Sequence, residues 1–273
     1  MPAEWISCRI EVTEDQQEQL MVLLLACGFV GFEQRPDCLI AYGQPDDLKA
    51  FPPQKLSEYC VQVERIPDRN WNGEWEKQYQ PVYAGKVYLR APHHPPDPKA
   101  AMELIIEPSM AFGTGHHATT RLCLLVMEHM DLSGKAVLDF GCGTGVLAIY
   151  AALRGAQVTA VDSDANAVAC ALENCRRNRV EHQITVLQGN TVPGDLLVDV
   201  VLANIDLQTL LLQLESMVCV LKPEGILILS GFLPSDAERL EAKAAKTGAK
   251  LTHWAAEENW MVMVFERNQK DKN

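Results

Sequence analysis

Ala136-Val-Leu-Asp-Phe-Gly-Cys-Gly-Thr-Gly145, followed by Val158-Thr-Ala-Val-Asp162, decides the fold. An apolar strand runs into a glycine cluster, and a second strand ends in a carboxylate about 20 residues after the first glycine. That is the layout of a βαβ unit that holds a nucleoside. Asp139 bends the reading away from a dinucleotide. A pyrophosphate needs a bare helix N-terminus, and a carboxylate at the strand end repels it. The same carboxylate suits a cationic ligand such as S-adenosylmethionine, which carries an ammonium and a sulfonium. In this frame Gly141 and Gly143 let the backbone approach the ligand closely. Asp162 accepts hydrogen bonds from the ribose hydroxyls, while Asp164 is free to cap the helix that follows. Asp139 orders the loop and attracts the ammonium, directly or through water.

Outward from this unit, the order after Arg121 is α-β-α-β-α-β, the pattern of a parallel sheet flanked by helices. Strands are expected at 136–139, 158–161, 184–188, 199–203 and 225–230, with final strands near 250–254 and 261–266. Helices are expected at 120–130, 146–153, 165–178, 207–221 and 235–247. The expected fold is a Rossmann-like α/β domain with a seven-stranded, mostly parallel sheet over 85–273. Before it, Ile6, Cys8, Ile10 and Val12 alternate as a half-buried strand, Gly28 stops a helix, and 38–42 and 60–66 alternate again. The order β-α-β-β-(α)-β over 1–66 predicts a small ferredoxin-like α+β domain. Asn70-Trp-Asn-Gly-Glu-Trp-Glu-Lys-Gln-Tyr79 is aromatic and charged, and 67–84 reads as a linker helix.

Composition narrows the partners. The formal net charge of −12 argues against a bare nucleic-acid substrate, which needs Lys and Arg to neutralise phosphate. Nine cysteines form no Cys-x-x-Cys pair and read as buried cytosolic thiols. The N-terminus lacks the charged-then-apolar order of a signal peptide, and the run 20–30 is too short to span a bilayer, so a cytoplasmic monomer without membrane contact is expected.

Three further stretches carry chemistry. Asn190, after the third strand of the sheet, is a candidate reader of an adenine. Asn204 ends the fourth strand beside the position of a transferred methyl and offers a carbonyl acceptor and an amide donor. No Pro-Pro-aromatic follows it, which argues against a stacked planar acceptor; Asp206 either holds a cationic amine or caps the helix at Leu207. Pro108-Ser-Met-Ala-Phe-Gly-Thr-Gly-His-His-Ala-Thr-Thr120 has the small residues of a lid, with Phe112 as cover, Gly113 as a joint, and Thr119 or Thr120 as a helix cap. His116-His117 lacks a third ligand nearby, so no metal is expected.

Ala111-Phe-Gly-Thr-Gly-His-His-Ala-Thr-Thr120, Asp139-Phe-Gly-Cys-Gly-Thr-Gly145, Asp162 and Ala203-Asn-Ile205 together resemble the ribosomal protein L11 methyltransferase family of class I methyltransferases. The resemblance extends over nearly the whole chain, although His116 and Ala118 stand where many members carry Thr and Pro. It implies an enzyme whose small domain grips ribosomal protein L11 and whose large domain methylates its α-amino and lysine ε-amino groups. It also implies that Thr120, Gly141, Asp162 and Asn204 contact S-adenosylmethionine, under a loop containing Phe112 and Gly113. The sulfonium methyl is already activated, so positioning and desolvation carry the rate. The acceptor amine must be neutral. Asn204 is expected to orient it, with Asp206, His116 and His117 as candidate bases. The competing readings are a methyltransferase for another protein, a small molecule or RNA, a non-enzymatic nucleoside-binding module, and an NAD oxidoreductase.

Overall fold

The computed structural model describes residues 5–51, 59–66, 80–107 and 117–269. The chain divides into two units, Met1–Trp75 and Glu76–Asn273. Among the described residues no helix is long and apolar enough to cross a membrane.

The first unit runs β1 (Trp5–Glu11), α1 (Glu14–Ala26), β2 (Gly31–Arg35), β3 (Cys38–Gly43), α2 (Pro45–Ala50) and β4 (Val61–Ile66). Its antiparallel sheet has the order β2-β3-β1-β4, the ferredoxin-like arrangement expected from the element order. The period of two works as read: Ile6, Cys8 and Ile10 turn inward onto Leu20, Leu24, Phe29 and Leu39. Helix α1 stops where Gly28 takes φ +108°, and the Phe29 N–H returns to the Leu24 carbonyl. The stretch from Asp46 to Tyr59 reads as weakly helical with a break at Pro52 and Pro53; helix α2 ends at Ala50, ahead of that pair, and residues 52–58 lie outside the described residues.

The second unit opens with a small sheet of β5 (Val82–Ala84), β6 (Val87–Arg90) and β7 (Met102–Ile105). Of the linker helix expected over 67–84, residues 67–79 lie outside the described residues, and Val82–Ala84 is strand, paired with β6. Then follow α3 (Ala118–Glu128), β8 (Ala136–Phe140), α4 (Val146–Leu153), β9 (Gln157–Asp162), α5 (Ala165–Arg177), β10 (Ile184–Gln188) and β11 (Val198–Asn204). The chain closes with α6 (Leu207–Val220), β12 (Leu221–Phe232), α7 (Ala237–Lys246), β13 (Ala249–Glu257) and β14 (Trp260–Arg267).

These strands form a seven-stranded sheet in the order β10-β9-β8-β11-β12-β14-β13, parallel from β10 to β12 and antiparallel at β14 and β13. The strand order reverses between β8 and β11, which makes the carboxyl end of those strands the place for a ligand crevice. Helices cover both faces, so the central strands read as nearly continuous apolar runs. Alternation still assigns each residue a face. Val137, Val200, Leu202, Val262 and Val264 pack with α3, α4 and α5, while Leu138, Val201, Ala203, Met263 and Phe265 pack with α6 and α7. By the same alternation Asp139 and Asn204 belong to the α3 face.

Candidate functional site

The carboxyl edge of the parallel strands opens into a cavity of about 710 Å³ within the second unit. Its walls come from the β8 turn (Gly141, Gly143), the end of β9 (Asp162), the segment after β10 (Gly189, Asn190), the end of β11 (Asn204–Asp206), α6 (Gln213), and from His117 and Trp260.

The glycine turn owes its shape to backbone freedom. Gly141, Gly143 and Gly145 take φ of +76°, +54° and +80°, values that L side chains rarely adopt. A Cβ on Gly141 would overlap Ile205 Cγ2, and one on Gly231 would overlap the Ile205 carbonyl oxygen. The Asn204–Ile205 segment is thus pinched between two glycines, and only their missing side chains let β8, β11 and β12 close together here. Gly231 carried no signal in the sequence; its strand register breaks between Ser230 and Phe232, where it sits.

Asp162 lines the cavity at the end of β9. Its Oδ2 accepts the Gly143 N–H at 2.8 Å and its Oδ1 accepts the Asp164 N–H at 3.0 Å. Each carboxylate oxygen retains a lone pair for an incoming hydroxyl. The capping role belongs to Asp164, which accepts the Asn166 N–H at 2.8 Å. Asn190 also lines the cavity, and its main-chain carbonyl accepts a hydrogen bond from Gln213 Nε2 at 3.3 Å.

Asp139 lies beneath the turn rather than on the wall. It is 2% exposed, and its Oδ2 accepts the Ala148 N–H at 3.0 Å, which fixes the first turn of α4 behind the glycines. Burial raises its carboxyl from 3.8 to about 7, the Ala148 hydrogen bond opposes that rise, and the charge of Asp162 adds to it. Burial likewise raises the thiols of Cys123, Cys142 and Cys175, which marks them as packing groups rather than nucleophiles.

Asn204 ends β11 at 9% exposure. Its Nδ2 donates weakly to Thr120 Oγ1 at 3.5 Å, while its buried Oδ1 has no hydrogen-bond partner. An unsatisfied buried acceptor costs stability, so a donor from a ligand has something to gain here. Thr120 itself is fully buried, and so is Thr119. Neither caps α3, contrary to expectation. His117 is the N-cap residue: its Nδ1 accepts the Thr119 N–H at 3.4 Å and lies 2.8 Å from Thr119 Oγ1. The imidazole packs edge-on against Trp260 with ring centroids 4.6 Å apart. Burial, and then the charge of Arg121, lower its pKa, with Glu258 opposing, so the ring is neutral at pH 7.

Of the candidate bases, Asp206 is engaged as the cap of α6. It accepts the Thr209 N–H at 3.0 Å and the Thr209 hydroxyl at 2.6 Å, and these bonds hold its carboxyl below the usual range. His116, Phe112 and Gly113 lie outside the described residues. Among the described residues no cluster with metal-binding composition occurs.

Trp260 and His117 are the wall residues that sequence reasoning did not bring together. Asn204 pairs in register with Ser230 and Ser230 with Val262, so Trp260, two residues before Val262, projects past the carboxyl edge on the α3 face. Its hairpin is tied to α3 through Arg121, whose Nε and Nη2 donate to Glu257 Oε1 at 2.9 and 2.5 Å.

The donor set fits S-adenosylmethionine. A carboxylate with spare lone pairs lines the cavity, a glycine turn leaves room for a close approach, and a second carboxylate lies buried beneath that turn.

Comparison with known proteins supplies independent information. A family model described as ribosomal protein L11 methyltransferase (PrmA) matches residues 46–268. The chain is 37% identical over 266 residues to a ribosomal protein L11 methyltransferase of Porphyromonas gingivalis, covering 92% of this chain and 91% of that protein. A relative of the same name from Phocaeicola vulgatus is 37% identical over 262 residues, covering 89% of this chain and 92% of the relative. Among solved structures, a ribosomal protein L11 methylase from Lactobacillus delbrueckii subsp. bulgaricus superposes with a TM-score of 0.65 at 24% identity, over 70% of this chain and 100% of that one. A methyltransferase from Pyrococcus furiosus superposes with a TM-score of 0.51 at 18% identity, over 61% of this chain and 90% of that one. The last two likenesses concern the fold, which is that of class I methyltransferases.

Proposed function

The chain belongs to the ribosomal protein L11 methyltransferase family, and from that premise we propose that it transfers methyl groups from S-adenosylmethionine to amines of ribosomal protein L11, both the α-amine and lysine ε-amines. The observation that carries this reading is the buried, unpartnered Oδ1 of Asn204, set beside the glycine turn and Asp162 in one cavity. An acceptor in that place suits an amine N–H, and no aromatic clamp follows it to stack a planar base.

Each residue then has a task. Asp162 takes the ribose hydroxyls, and Gly141 and Gly143 admit the donor against bare backbone. Asp139, anchored to Ala148, would offer its buried carboxylate to the ammonium of the methionine moiety, directly or through water. Thr120 braces Asn204 and reaches the donor through it. Phe112 and Gly113, which lie outside the described residues, are assigned to the donor by the resemblance alone. When bound, S-adenosylmethionine supplies an electrophilic methyl.

The chain's remaining work is to present a neutral amine in line with that methyl. A lysine starts at about 10.4 and an α-amine at about 8. Burial against the apolar walls, next to a positive charge, lowers both. The departing proton passes to water in this reading, since Asp206 is engaged by Thr209 and His117 Nδ1 by Thr119. Asn204 Oδ1 then orients the amine through its remaining N–H. The first unit, a small domain over 1–66 followed by a linker, grips the protein substrate.

Incubating the full chain with ribosomal protein L11 and S-adenosylmethionine, then mapping added mass by site, tests the reading. Methyl groups on the α-amine and on lysines are the expected result. An unmodified substrate in the presence of a bound donor overturns it.

A further inference from the structure

A primary amine can take up to three methyl groups, and each transfer changes what the site must hold. Each transfer forms one N–C bond and breaks one C–S bond, with the electron pair leaving on sulfur. The nitrogen becomes cationic and, while it still carries hydrogen, loses one proton to water before the next round. With every round the nitrogen therefore loses an N–H donor and gains a methyl. Asn204 Oδ1 can orient only an amine that still has an N–H, so its hold weakens as the product builds up.

A neighbouring part of the wall supplies what Asn204 loses. His117 and Thr120 stand three residues apart on one face of α3; His117 meets the Trp260 ring and Thr120 meets Asn204. Asn204 and Trp260 therefore flank the same side of one cavity, joined by a single turn of helix. The neutral imidazole places no competing charge on the indole. Arg121 engages Glu257 and Glu258, which holds the hairpin carrying Trp260 in place and turns the cation away into its own ion pairs. An indole is the strongest aromatic partner for a quaternary or tertiary ammonium, whose charge is spread over its methyl groups.

We propose that Trp260 is a specificity-determining residue for the number of methyl groups added. Its ring stabilises the positive charge developing on a nitrogen that has lost its N–H bonds to Asn204. This rests on the amine-methylation reading above and adds a division of labour: Asn204 serves the early rounds and Trp260 the late ones.

The test follows the methyl states of ribosomal protein L11 by intact mass over time, with the full chain and saturating S-adenosylmethionine, for wild type, W260L and W260F. Folding of each variant is checked by thermal melting and by binding of S-adenosylhomocysteine. W260L should lower the ratio of third-transfer to first-transfer rate about tenfold, within the span of a desolvated cation–π contact, and W260F should recover most of that ratio. Equal slowing of all rounds in W260L, or an unchanged ratio, overturns the role of Trp260 while leaving the amine-methylation reading intact. A wild type that adds no methyl at all removes the underlying reading instead. If W260L does not fold, calorimetry on wild type saturated with S-adenosylhomocysteine compares Nα-acetyl-Nε,Nε-dimethyllysine amide with Nα-acetyllysine amide. Tighter binding of the dimethyl compound supports the proposal, and equal or weaker binding overturns it.

Discussion

The two halves of the cavity are built differently. The half around β8 and β9 is made from residues close in sequence: the glycine turn, Asp162, Asp164 and Asp139 all fall within 139–164, and their polar groups satisfy one another. The other half gathers His117 from the start of α3, Asn204 and Ile205 from the end of β11, Gly231 from β12 and Trp260 from β14, with Thr120 buried behind Asn204. It leaves the Asn204 acceptor without a partner. A rigid, pre-satisfied half suits a ligand that is the same in every turnover. A half with an open acceptor and an aromatic wall suits a group that changes at each methylation.

Gly141→Ala should break the first half outright. The new side chain meets Ile205 on a backbone with φ +76°, so strain and overlap act together. Affinity for S-adenosylhomocysteine should fall about a hundredfold, read by calorimetry. Because Ile205 adjoins Asn204, activity should fall further than affinity.

Asn204→Ala tests the second half. It removes an orienting acceptor, so kcat should drop between about tenfold and a hundredfold, while KM for the protein substrate moves less. Steady-state kinetics separate the two, and equal losses in both would argue that Asn204 serves docking alone.

Asp139→Asn sharpens the contrast through pH. The native carboxyl sits at about 7 against an ordinary 3.8 because burial penalises its charge. Between those values the folded state holds a proton that the unfolded state has lost, so this group's contribution to stability declines as pH rises from about 4 to about 7. Asparagine keeps the Ala148 hydrogen bond without the titration. The melting temperature of the variant should gain on wild type across that window and then level off. Donor affinity, read by titration, should strengthen several-fold with pH in wild type, where a cation favours the carboxylate, and stay flat in the variant.

Arg121→Met has the smallest expected effect. The Arg121–Glu257 pair is partly exposed, so its loss should lower stability by about 1 kcal/mol, a few degrees in a thermal melt. If the hairpin is what places Trp260, the share of fully methylated product should fall as well.

How far the chain could be read depended on how local each device is. Alternation in β1 and β3, the β8–β9 run and the Asp164 cap are properties of neighbouring residues, and they were legible. The cap of α3 was misread, because Thr119 and Thr120 look like capping residues until burial places them inside the helix. Val82–Ala84, too short for a periodic signal, becomes strand only by pairing with β6.

By itself, the sequence determined the element order, the ferredoxin-like and Rossmann-like classes, and the half of the cavity built from β8 and β9. Those follow from propensity and periodicity over short spans. Only the tertiary structure decided that Gly231 must lack a side chain, that Asn204 keeps an unsatisfied acceptor, and that Trp260 stands over the opening beside His117. Each of these depends on strand register across β11, β12 and β14, and register is set by packing between segments distant in the chain.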